Sequence, residues 1–152
     1  MRALLIVVLA GVAAVLPIGG LSAQQGEDKA VLGTWSPPEQ DSVFEIYPCE
    51  EGRYCGKITM ISEVNAPAGS SRVDVNNQDP SLRDRPLLGM IFLTGFRYEG
   101  NGSYQDGRIY NPRDGKVYKA NMKLEDGNNR LRVRGYVGVP MMGQTQVWTR
   151  AR

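Results

Sequence analysis

After residue 23 no segment of this chain carries a long helical period, and short apolar runs alternate with turn-forming residues. That pattern constrains the fold more than any other feature. In "VYKANMKL", Tyr118, Ala120, Met122 and Leu124 share one side, and Lys119, Asn121 and Lys123 the other. In "RLRVRGYV", Leu131, Val133 and Val137 oppose Arg130, Arg132 and Arg134. A period of two with one apolar and one charged face describes a strand buried on one side and wet on the other. The segments 30–36, 42–48, 54–62, 88–98, 103–110, 116–124, 130–138 and 144–150 read as strands. Asn101-Gly102, "NPRDG" (111–115), "EDGNN" (125–129) and "GVPMMG" (138–143) read as hairpin turns or loops. Short, closely spaced strands of this kind build an antiparallel barrel or sandwich. We expect an all-β, eight-stranded, antiparallel up-and-down barrel. The segment "LGMIFLTGFRY" (88–98) is apolar at both parities, which predicts cover on its outer side as well.

One stretch breaks the rhythm, the polar insertion 62–87. Within it Asp79-Pro80 has the chemistry of a helix start, an N-cap carboxylate followed by proline, and predicts one short helix. Long loops of this kind often carry function or cover an opening. "DVNNQD" (74–79) begins like a calcium loop, but Asp79 stands where that loop needs glycine and Arg85 where it needs glutamate. Turn and cap residues are the better reading, and no metal site is expected.

The chain opens with Arg2, an apolar run from Ala3 to Leu16, then Pro17 and small residues. This is the layout of a secretory signal, with cleavage expected after Ala23. A membrane anchor is the rival reading, but Pro17 and Gly19-Gly20 stop the run short of the roughly 20 residues a span needs. The expected mature protein is a single domain, 24–152, periplasmic or secreted, with no stable membrane span. The whole-chain charge of +2 falls to +1 without Arg2, which gives no electrostatic argument for nucleic acid or for an anionic membrane surface. Both cysteines, Cys49 and Cys55, lie in the exported part. There they read as a disulfide across one hairpin, worth about 2–3 kcal/mol for so small a loop.

There is no histidine. That removes the His-dependent nucleophile systems, imidazole metal sites and the commonest general base. Asp106, Asp114 and Asp126 each precede glycine, which is turn chemistry. No catalytic residue, metal or cofactor is expected, and the reading is non-enzymatic. Two features stay open on residues alone. Arg130, Arg132 and Arg134 form either a solvated outer face or a surface for an acidic ligand or partner. Met60, Met90 and Met122 fall in strands, where methionine serves either as core or as pocket lining. Met141 and Met142 follow Pro140 in a loop and suggest a mobile rim.

Gly33-Thr34-Trp35 near the start and Trp148-Thr149-Arg150 near the end resemble the signature of the lipocalin and calycin barrels. The resemblance implies that Gly33 and Trp35 plug the closed end, with Arg150 stacked across. "FEIYPC", "CGKI", "DVNNQDPSLRDRPLLGM", "GRIYNPRDGKVYKA", "LRVRGYVG" and "GQTQVWTR" extend the likeness over nearly all of 24–152. Together they resemble the bacterial domain-of-unknown-function 2147 family, which implies a small exported lipocalin-like β-barrel. By analogy that shape implies a binding protein for a small hydrophobic or amphipathic ligand. Strand parity then nominates Phe44, Ile46, Ile58, Met60, Phe92, Phe96, Tyr118, Met122 and Val133 as its lining. The alternative is a protein-interaction module of the cell envelope, an inhibitor or assembly partner, working through the 62–87 loop and the arginine-lined strand face.

Overall fold

The structure, a computed structural model, describes residues 26–63 and 72–151. The expected signal and its cleavage point lie outside the described residues, as does the stretch 64–71 of the long insertion. Eight strands follow in chain order: β1 (Gly33–Ser36), β2 (Ser42–Glu50), β3 (Arg53–Ile61), β4 (Ile91–Gly100), β5 (Ser103–Asn111), β6 (Lys116–Glu125), β7 (Arg130–Tyr136) and β8 (Gln144–Arg150). Each pairs antiparallel with the next, and β1 pairs with β8 through Trp35 opposite Arg150, closing the barrel. Closure leaves no sheet edge to protect. The expected strands are all present, within a few residues at their ends. β1 starts at Gly33 instead of residue 30 because Ala30 and Leu32 belong to a hydrogen-bonded turn that folds across the end of the barrel.

Turn chemistry sets the short ends. Asn101 and Gly102 both have positive φ, 50° and 70°, as a two-residue hairpin with right-handed twist requires. Cys49 and Cys55 are bonded across the β2–β3 hairpin, with Cα atoms 5.6 Å apart. The expected short helix is a single 3-10 turn, Pro80–Leu82, where the Asp79 carboxylate accepts from the Ser81 amide. Asp106 is the exception among the Asp-Gly pairs. It lies inside β5 with φ 61°, where the register to β6 shifts, so it makes a bulge and not a turn.

Bulges also change which side chains face inward. In β3 the register shifts where Met60 pairs with Val43 and Ile58 with Phe44. The extra residue, Thr59, breaks the alternation, so Ile58 is buried, Met60 is 44 % exposed and Ile61 resumes the inner face. In β4 the register shifts on either side of Leu93. Phe92, Leu93 and Phe96 are all buried there, while Ile91 is exposed. The expectation of an outer cover over 88–98 is therefore corrected: bulges turn both parities inward, and nothing needs to cover the strand from outside.

The interior has two halves. The closed half lies at the end with the β2–β3, β4–β5 and β6–β7 turns and holds Trp35, Ile46, Tyr54, Phe96, Tyr104, Met122, Leu124 and Leu131, all buried. Its packing depends on missing side chains. A Cβ on Gly107 would lie 2.2 Å from the Phe96 ring, and one on Gly56 2.7 Å from Leu93. The other half is hollow.

Candidate functional site in the open half of the barrel

β8 shows how the sequence divides the interior. Its inward side reads Gln144, Gln146, Trp148, Arg150 from the open end to the closed end, polar at the mouth and aromatic at mid-barrel. Trp148 is buried and its indole N–H donates to Gln146 Oε1 at 3.0 Å. Its ring lies 4.8 Å from Phe44 and 6.1 Å from Phe92, and the two phenylalanine rings are 4.6 Å apart. These three rings make an aromatic floor. Tilted contacts at such distances add to the burial of large apolar surface. Above the floor a cavity of about 1100 Å³ opens to solvent, walled by Ile58, Ile109, Tyr118 and Val133 below and by Gln144, Gln146, Tyr110 and Asn111 nearer the mouth. An eight-stranded barrel has room for one small ligand when its interior is not filled by side chains. This cavity is apolar at the base and polar at the collar.

The insertion crosses the mouth and contributes Val73, Val75 and Asn76 to the wall. It is held by a buried carboxylate. Asp74, 1 % exposed, accepts from the Tyr110 hydroxyl at 2.6 Å, from Asn77 Nδ2 at 2.7 Å and from Arg85 Nη2 at 2.6 Å. Burial alone would raise this carboxyl's pKa. The hydrogen bonds from Tyr110, Asn77 and Arg85, with the arginine's charge, outweigh that and hold it below the ordinary value. Burial, with the bond to Asp74, in turn pushes the Tyr110 phenol up to about 12. The Asn76 amide donates to the Pro112 and Arg113 carbonyls at 3.1 Å, which ties the insertion to the β5–β6 turn. Gly115 allows that contact, because a Cβ there would lie 1.9 Å from the Asn76 carbonyl oxygen. These contacts give the "DVNNQD" segment its chemistry: the Asp74 oxygens are taken by protein donors, and Asp79 caps the 3-10 turn.

The closed end is sealed differently. The Arg150 guanidinium lies 4.2 Å from the Trp35 ring and donates to the carbonyls of Leu32 (2.9 Å), Ala30 (2.8 Å) and Asn128 (3.0 Å). Burial draws its pKa below the usual value. Trp35 donates its indole N–H to the Val31 carbonyl at 2.9 Å, and the Tyr104 hydroxyl reaches the Asp28 carbonyl at 2.9 Å. Gly33, at φ 116°, passes under the guanidinium, where a Cβ would sit 3.0 Å from Arg150 Nη1. The turn formed by 27–32 is thus stapled over the barrel end from three directions.

Of the nine residues nominated by parity, Phe44, Ile58, Phe92, Tyr118 and Val133 line the cavity. Ile46, Phe96 and Met122 face inward but lie in the packed closed half, outside the cavity. Met60 faces outward, because the β3 bulge breaks the alternation that placed it inside. Parity reasoning missed Gln144, Gln146 and the Asp74 clasp. The glutamines share the parity of Trp148, and that signal was available. The clasp joins Asp74, Arg85 and Tyr110 from two distant segments, which spacing does not reveal.

The arginine stripe is mostly engaged in structure. Arg132 pairs with Glu125 at 2.7 Å, and Arg134 bonds the Pro140 and Met141 carbonyls.

Residues 33–150 match the family described as uncharacterized proteins conserved in bacteria (DUF2147). The chain belongs to the DUF2147 family. Among solved structures, this DUF2147 barrel is similar to protein HP1028 from the human pathogen Helicobacter pylori, described as belonging to the lipocalin family. The two share 25% sequence identity and superpose with a TM-score of 0.68, covering 80% of this chain and 83% of that one. No curated protein matches the sequence. The barrel is lipocalin-like in topology, with one end plugged and the other open. Among the described residues no helix is long and apolar enough to cross a membrane.

Proposed function

We propose that this DUF2147 protein is an exported, non-enzymatic binding protein that holds one small amphipathic molecule in the open half of its barrel. The observation that carries this reading is the division of the cavity: Phe44, Phe92 and Trp148 at the base, Gln144, Gln146 and Asn111 at the collar. An apolar tail bound against the base would gain roughly 25 cal/mol for each Å² taken out of water. The collar amides would hold a polar head and fix orientation, the usual division of labour in small-molecule sites. The disulfide and the amino-terminal apolar segment support export.

The test is native mass spectrometry of the protein purified from its own compartment, with Gly135→Phe as the blocking variant. Gly135 lines the cavity, and a Cβ there meets only Ile109 Cγ2 at 3.4 Å and Tyr118 Cβ at 3.8 Å. A phenylalanine at that position would occupy the ligand space. The proposal predicts a co-purifying amphipathic molecule that Gly135→Phe loses while its thermal unfolding stays cooperative. A protein that never carries a small molecule, and takes up none from a panel of amphipathic probes, would refute it.

A further inference from the structure

The rim of the open end carries apolar side chains that no other described residue covers. Val137, Val139, Met141 and Met142, in the segment joining β7 to β8, are 71, 58, 90 and 80 % exposed. The segment is held in place. Arg134 donates through Nε to the Pro140 carbonyl at 2.6 Å, through Nη2 to the Met141 carbonyl at 3.1 Å, and through Nη1 to the Thr145 hydroxyl at 2.6 Å. At its far end Gly143 packs so closely that a Cβ would lie 2.4 Å from the Gly135 carbonyl oxygen. The fold thus fixes an apolar tip in water, where clustered exposure of this kind marks an interaction site.

Beside the tip the outer face is basic. Arg108 on β5 and Lys119 on β6 are directly opposite in register, and both are exposed. Like charges so placed destabilise a sheet. Neither they nor Lys116 joins an ion pair among the described residues. Lys119 is paired with Tyr136, the last residue of β7, so these cations lie next to the strand from which the tip departs. Val117, 58 % exposed, stands between Lys116 and Lys119 in the sequence. The neighbouring acids are mostly engaged: Asp114 accepts from the Tyr118 hydroxyl, and Asp41 pairs with Arg113. Among the described residues Glu39, on the β1–β2 turn, and Asp84, in the insertion, are exposed acids that join no ion pair.

We propose that this rim docks on a bilayer containing anionic phospholipid, with Met141 and Met142 inserted among the acyl chains and Arg108, Lys116 and Lys119 against the headgroups. A protruding apolar tip flanked by unpaired cations suits a fluid anionic surface, which combines burial of apolar side chains with attraction to negative lipid. It suits a protein partner less well, because stable protein interfaces need about 800 Å² on each side and not one narrow tip. Met142 also lines the cavity, so docking would bring the mouth against the lipid. The inference stands on the rim alone and does not depend on what the cavity holds.

Sedimentation with vesicles tests it, using the chain from Gln24 onward, which contains every described residue of the barrel. The expected result is binding to phosphatidylcholine–phosphatidylglycerol vesicles that weakens with salt, and little binding to phosphatidylcholine alone. Met141→Ser with Met142→Ser should lower partitioning by about tenfold. Arg108→Gln with Lys119→Gln should lower it at low salt only, as screened charges require. Met60→Ser removes an exposed methionine on β3, across the open end from the tip, and should change nothing. These side chains are exposed, so thermal unfolding should match the parent. The proposal is overturned if mixed vesicles are not bound, if the tip variant binds as well as the parent, or if Met60→Ser loses as much. Lipid-free self-association that the tip variant abolishes in ultracentrifugation would assign the rim to a second copy and overturn it equally.

Discussion

The two ends of this barrel use the same kinds of residue for opposite purposes. Each half contains one tryptophan whose indole N–H has a partner. At the closed end Trp35 donates to a main-chain carbonyl beneath Arg150, and Phe96, Tyr104, Leu124 and Leu131 fill the space around it. At mid-barrel Trp148 donates to Gln146, a residue that faces the cavity, and the space above it is empty. Two inward-facing glycines show the same contrast. Gly107 is filled by the Phe96 ring, whereas Gly135 faces open volume. One half is a plug whose stability is its purpose, and the other gives up packing to keep a cavity.

The largest effect that would sharpen this contrast is Trp35→Ala. It should cost about 4 kcal/mol in denaturant unfolding, since it empties a fully packed site and leaves Arg150 without its ring. A cost under about 1 kcal/mol would break the plug reading. Next comes the glycine pair. Gly107→Ala forces a methyl into the Phe96 ring and should cost about 2–3 kcal/mol. Gly135→Ala should stay within about 0.5 kcal/mol, because its Cβ meets only ordinary contacts. Equal costs would mean that the two halves are packed alike.

The third effect is confined to the open end and depends on pH. The Asp74 carboxyl titrates below its unfolded value, so the clasp contributes its stability above about pH 4 and loses it as pH falls through the lowered value. Tyr110, pushed up to about 12, has the opposite sign: its contribution is present below about pH 10 and is lost as pH rises toward 12. Protection against hydrogen exchange at 72–87, relative to the intrinsic rate at each pH, should therefore fall in acid while the amides around Trp35 and Arg150 stay protected. Asp74→Asn should show weaker protection at 72–87 already at pH 7, and a clasp unaffected by that change would remove Asp74 from its role.

How much of this was legible in the sequence follows the same division. Strand parity and turn residues marked all eight strands, because both depend on local chemistry, whereas the plug of Trp35 and Arg150 was implied only by the resemblance to the lipocalin and calycin barrels. The lining was legible only where alternation ran unbroken. Thr59 shifts β3 by one residue and sends Met60 outward, and the bulges of β4 turn Phe92 and Leu93 inward together. A bulge adds a residue without leaving a distinctive composition, so parity fails beyond it. The clasp of Asp74, Tyr110 and Arg85 was invisible for another reason: its partners come together only when the insertion folds over β5.

The central claim is that ligand enters the half above Trp148 and never the half around Trp35. Two single-tryptophan proteins, Trp35→Phe and Trp148→Phe, titrated with a brominated fatty acid, test it most directly. The account predicts saturable quenching of Trp148 in the first protein and an unchanged Trp35 signal in the second. Equal quenching of both tryptophans, or quenching of Trp35 alone, would contradict it.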